Sequence, residues 1–229
     1  MQAANLSPIF HRQHSFLVLP GSTRARPPDQ GVKIRMPRRG QFSGAADRLD
    51  PTRYDEAWER RTERAAQLIP PGRHVIEFGA GTRKLERYLD PSCTYVPSDL
   101  ADRGPGTIVC DLNSRPLPDL PDYDTAVLLG VLEYLVDVPE IIGWLARQIQ
   151  VCVVSYVCKS AGSLSGVLEM IHRNRAGWMN HYREEQIVEL FQEQGFEQVS
   201  AETCSGNRLF VFVNPANARR GPMSGDIAL

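Results

Sequence analysis

The chain has 229 residues, 42% hydrophobic and 23% charged, with a formal net charge of −1. That composition is ordinary for a globular protein and leaves enough apolar residues for a sizeable core. It announces no polyanion partner for the chain as a whole. Five scattered cysteines without a CxxC pair argue against a disulfide framework or a zinc site and fit reduced thiols in a cytoplasmic protein, and no stretch approaches the ~20 apolar residues of a membrane span.

Residues 1–45 are rich in Pro, Gly, Arg, Gln and Ser and show no periodicity, so they are expected to form a disordered tail. The tail is basic: Arg12, Arg24, Arg26, Lys33, Arg35, Arg38 and Arg39 face only Asp29, which leaves the remainder acidic. Residues 46–213 are expected to form one folded domain, and 214–229 a flexible polar tail. The domain opens with Asp50 and Pro51 as N-cap and first-turn residues. Tyr54, Ala57, Trp58, Arg61, Ala65 and Leu68 then follow at helical spacing, with Tyr54 and Trp58 expected to face the core.

Val75-Ile76-Glu77-Phe78-Gly79-Ala80-Gly81-Thr82 reads as a buried strand, a tight glycine turn and the start of a helix carrying Leu85, Tyr88 and Leu89 on one face. The glycines tolerate backbone angles that side chains forbid and let a ligand approach the main chain. The third glycine of the dinucleotide fingerprint is missing, because Lys84 stands there, which counts against a nicotinamide oxidoreductase. Thr94 to Asp99 is a short strand ending in an acid 22 residues after Glu77, a spacing suited to binding a ribose. Thr107 to Leu112 is a third strand, containing Asp111.

Asp122 to Gly130 is nearly all apolar, as a central parallel strand should be. Gly130-Val131-Leu132-Glu133-Tyr134-Leu135 follows it. Pro139 opens a helix with Ile141, Ile142, Leu145 and Ile149 inward, and Val151 to Tyr156 is the fifth strand. The excursion 157–181 is long for a compact domain and is read as a lid over an acceptor site. A helix from Glu184 to Gln194, capped by Gly195, precedes a strand pair, Phe196 to Ala201 and Leu209 to Val213.

In this order, the acid-x-Gly-x-Gly turn, Asp99, Asp111 and Gly130-Val131-Leu132-Glu133 resemble the motifs of the class I S-adenosylmethionine-dependent methyltransferases over residues 54–213. The resemblance implies a Rossmann-like doubly wound α/β sheet of about seven strands, mostly parallel, with the last antiparallel. It implies S-adenosyl-L-methionine as cofactor, with Glu77, Gly79, Gly81, Asp99, Asp111, Leu112 and Gly130 around it. Asp99 would hold the ribose, Asp111 would accept from the adenine amino group, and the Leu112 N–H would face the ring. Glu133 would be a structural acid near a helix start.

The implied reaction is methyl transfer by in-line displacement to a small-molecule or glycan-like acceptor. His181 and Tyr134 are the candidate general bases, and no metal is expected. Nucleic acid is not expected as a partner. Two alternatives stay open: an RNA or protein methyltransferase using the basic arm, and a non-catalytic nucleoside-binding module.

Overall fold

A computed structural model describes residues 56–159, 171 and 173–218, all within the unit Arg39–Leu229. The basic tail, the Asp50–Pro51 helix start, Tyr54, residues 160–170 of the excursion and residues 219–229 lie outside the described residues.

Seven strands form one sheet in the order β3-β2-β1-β4-β5-β7-β6. They are β1 (His74–Phe78), β2 (Thr94–Asp99), β3 (Ile108–Val109), β4 (Thr125–Leu129), β5 (Val151–Tyr156), β6 (Glu197–Cys204) and β7 (Asn207–Val213). The first five run parallel; β7 is antiparallel to β5 and to β6. This is the mixed sheet that the resemblance implied. The chain builds outward from β1 to β3 and then crosses to β4 on the other side. The crevice beyond the carboxyl ends of β1 and β4 is therefore the topological switch point, where open sheets of this kind hold ligands.

Period-two alternation sorts the strand residues into two apolar layers. Ile76, Phe78, Ala126, Leu128, Cys152 and Val154 face α2 (Val138–Ala146) and α3 (Glu184–Glu193), through Ile141, Ile142, Leu145, Ile187 and Phe191. Val75, Val127, Leu129, Val151 and Val153 face α1 (Glu56–Gln67), through Ala65 and Ala66. Pro139 lies in the first turn of α2, and the Asp137 side chain accepts the Glu140 N–H. The far end of α2 is clasped by Asn214 and Asn217, whose amides both donate to the Ala146 carbonyl. Helix α3 ends in paired bonds, Phe196 N–H to the Phe191 carbonyl and Gly195 N–H to the Gln192 carbonyl, around Gly195 at φ +85°. Ser205 and Gly206, both at positive φ, turn β6 into β7.

Three local expectations are corrected. The segment after the glycine turn is one 3-10 turn, Lys84–Arg87, and not an α-helix. Arg83 sits in the left-handed region at φ 58° and breaks the helical run, although Leu85 is still fully buried. Strand β3 pairs over two residues only. Trp58 is 40% exposed and does not pack in the core.

Candidate active site

The turn after β1 holds Gly79 at φ +69° and Gly81 at φ +54°. A Cβ at Gly79 would lie 2.7 Å from Val131 Cγ2, so the turn and the segment after β4 touch only because the residue is glycine. The Gly81 N–H donates to Asp99 Oδ2 at 2.8 Å, and the Ala80 N–H donates to the Ser98 carbonyl at 3.0 Å. These bonds lock the turn to the end of β2. Arg103 Nη2 donates to Asp99 Oδ1 at 3.1 Å, so the carboxylate is held from both sides.

Asp111 closes a side-chain turn of its own, accepting the Asn113 N–H on Oδ1 and the Ser114 hydroxyl on Oδ2, each at 2.9 Å. Asn113 in turn donates to the Tyr134 carbonyl and accepts the Val136 N–H. The loop after β3 is thereby tied to the turn after β4. Leu112 is buried beneath it.

Glu77 lies on the α1 face of β1 and is 4% exposed. Burial pushes its carboxyl up to about 8, opposed by the Tyr95 hydroxyl that donates to Oε2 at 2.6 Å and by the Arg61 guanidinium. Burial and the Glu77 carboxylate raise Tyr95 in turn. Arg61, projecting from α1, is 8% exposed and directs Nη2 at the Leu129 carbonyl and Nη1 at Asn207 Oδ1, both at 3.5 Å. Its guanidinium borders Gly130, where a Cβ would come within 3.1 Å of Nη1.

Glu133, in the short turn after β4, is 2% exposed. Its Oε1 accepts the Val157 N–H at 3.0 Å. Burial raises its carboxyl above the usual range, opposed by backbone hydrogen bonds and by the fields of Arg61 and Arg173. Arg173 grips the same stretch from the other side, donating to the carbonyls of Val157 and Cys158 at 2.9 Å. It also stacks on Trp178. The Trp178 Nε1–H donates to the Tyr134 hydroxyl, and the Met179 N–H to the Glu133 carbonyl.

These elements enclose a cavity of about 960 Å³. Glu77, Gly79, Asp99, Asp111, Leu112, Gly130 and Tyr134 all line it, and Gly81 braces Asp99 at its edge. His181 does not line it. The bonds from Met179 to Glu133 and from the Tyr182 N–H to the Tyr156 hydroxyl pin this stretch so that Trp178 reaches the cavity. His181 pairs instead with Asn174 Oδ1 at 3.2 Å. Trp58 lines the cavity, which explains its exposure. Arg173 and Trp178 escaped the sequence reading, because their part in the site depends on contacts far along the chain. Among the described residues, no group of three His, Cys, Asp or Glu side chains could hold a metal ion.

Residues 52–201 match the methyltransferase-domain family. The chain belongs to that family. No curated protein matches this methyltransferase. Among solved structures it is similar to the methyltransferase in complex with the Haloferax volcanii Trm112 activator. That match has 16% identity and a TM-score of 0.61, covering 77% of this chain and 99% of that one. It is also similar to magnesium protoporphyrin IX methyltransferase from Synechocystis PCC 6803 with bound S-adenosylhomocysteine, at 18% identity and TM-score 0.56, over 76% and 95% of the two chains. A third is the Burkholderia thailandensis 1,6-didemethyltoxoflavin-N1-methyltransferase with its acceptor and S-adenosylhomocysteine bound, at 16% identity and TM-score 0.52, over 70% and 79%.

Proposed function

We propose that this methyltransferase uses S-adenosylmethionine to methylate a small-molecule acceptor. The observation that carries the reading is the cavity at the switch point, which joins the left-handed glycine turn to Asp99 and Asp111. The residues fit the cofactor. Gly79 leaves open the space that a Cβ would fill against Val131. Asp99, anchored by Gly81 and Arg103, would accept from ribose hydroxyls. Asp111 and the main chain at Leu112 would face the adenine. The Arg61 guanidinium beside Gly130 suits the amino-acid carboxylate.

When bound, the cofactor supplies a methyl group already activated by a positively charged sulfur. The protein's share is then to orient both partners and keep water out. Trp178 and Tyr134 supply an apolar, aromatic wall next to the post-β4 turn, which suits a planar small acceptor better than a polymer chain. Two similar structures are named for such acceptors, magnesium protoporphyrin IX and 1,6-didemethyltoxoflavin. Tyr134 remains the candidate base within the cavity.

The reading is tested by incubating the full chain and methyl-tritiated cofactor with size-fractionated cell extract. Label is expected in the low-molecular-mass fraction. Label confined to RNA or protein, and lost when residues 1–45 are removed, would favour a polymer acceptor held by the basic arm.

A further inference from the structure

One buried oxygen of a residue that lines the cavity has no role in what precedes. Glu133 Oε2 is buried and has no hydrogen-bond partner. Its sister oxygen holds the Val157 N–H, and the side chain belongs to a residue that lines the cavity. A desolvated carboxylate oxygen left without a partner is costly, and such sites persist where a ligand or an ion relieves them. The two nearby guanidiniums do not donate to it. Arg173 is engaged with the Val157 and Cys158 carbonyls, and Arg61 points to Leu129 and Asn207.

The other acids of the cavity are already engaged. Glu77 accepts from Tyr95, Asp99 from Gly81 and Arg103, and Asp111 from Asn113 and Ser114. Glu133 also stands on the β4 side, three residues beyond Gly130 and away from the adenosine acids on β2 and after β3.

We infer that the Glu133 carboxylate is the counter-charge for the donor's positive sulfur, so that the site prefers the sulfonium cofactor to its neutral thioether product. The inference rests on the cofactor placement proposed above. It has a consequence for turnover. In methyl transfer a lone pair of the acceptor forms the new bond to the methyl carbon as the sulfur–methyl bond breaks; that bond's electron pair stays on sulfur, and the positive charge beside Glu133 is removed. Attraction is lost at the moment the product must leave.

The test is calorimetric titration of the full chain and of Glu133→Gln and Glu133→Asp with S-adenosylmethionine and with S-adenosylhomocysteine. Glutamine keeps an acceptor for the Val157 N–H. The preference for the sulfonium ligand is expected to fall about tenfold in Glu133→Gln, the scale of one charge several ångströms away at an effective dielectric of ~20, partly offset by the two arginines. S-adenosylhomocysteine affinity should barely move, and Glu133→Asp should keep most of the preference. An equal preference in wild type and Glu133→Gln would overturn the inference. So would a parallel loss of both ligands with a lowered Tm, which is the mark of a purely structural residue. Binding of neither ligand to the wild-type chain would instead remove the cofactor reading, and this inference with it.

Discussion

On the β2–β3 side of the cavity, buried Asp99 and exposed Asp111 are held in polar surroundings, their oxygens aligned by backbone N–H groups, an arginine and a serine hydroxyl. On the β1–β4 side, Glu77 and Glu133 are sealed from water, and burial raises both carboxyls. The same functional group is thus prepared in two ways. The first pair is preorganised to accept hydrogen bonds from neutral hydroxyl and amino groups. The second pair carries the cost of burial, beside two buried arginines that keep it tolerable.

The largest way to separate the two sides is pH. The folded-state pKa of Glu77, about 8, lies above its ordinary value of 4.5, so the folded chain binds that proton more tightly than the unfolded chain. Stability from this group is therefore full below pH ~4.5, falls as pH rises toward 8, and levels off above it. The loss is on the order of 5 kcal/mol. Denaturant unfolding of wild type and Glu77→Gln across that range should show the slope in the first and a flatter profile in the second. Equal slopes would mean that Glu77 does not carry the effect.

Next in size, Asp99→Ala removes an acceptor without opening a core cavity. S-adenosylhomocysteine affinity should fall by about 10- to 100-fold, the worth of hydrogen bonds to a charged group. Tm should fall as well, because the Gly81 N–H and the Arg103 guanidinium lose their shared acceptor, and calorimetry with thermal unfolding checks both. Asp111→Ala should cost severalfold in affinity for adenosine-containing ligands, roughly 1 kcal/mol. Inosine analogues, which lack the amino group, should be affected less. Smallest is Arg103→Gln, which frees one oxygen of Asp99 while leaving Gly81 in place. A loss of about 1 kcal/mol or less in S-adenosylhomocysteine binding is expected, and it should vanish in an Asp99→Ala background.

Much of this arrangement was legible in the chain. The bounds of the strands Thr94–Asp99 and Val151–Tyr156 coincide with the observed ones, because their apolar runs end at sharp turn residues. Asp99 and Asp111 were placed by the order of strands and acids. What the string could not show was direction. The spacing of Trp58 marks a helix face but does not tell core from cavity wall. Leu85, Tyr88 and Leu89 mark an inner side without saying that Arg83 would take a left-handed turn and shorten the helix to one 3-10 turn. His181 and Trp178 lie three residues apart, and only long-range bonds to Glu133 and Tyr156 decide which of them meets the cavity. The burial of Arg61, Glu133 and Arg173 is likewise a property of the assembled fold.

The two stems of the excursion after β5 are fastened to each other and to the frame. The Lys159 N–H donates to the Tyr182 carbonyl, Arg173 grips Val157 and Cys158, and Asn180 donates to the carbonyls of Leu132 and Leu135. A segment clamped at both ends is an interchangeable cassette. Lengthening or rewriting what lies between the clamps adds only a slowly growing entropy of closure, and the donor half of the cavity need not move.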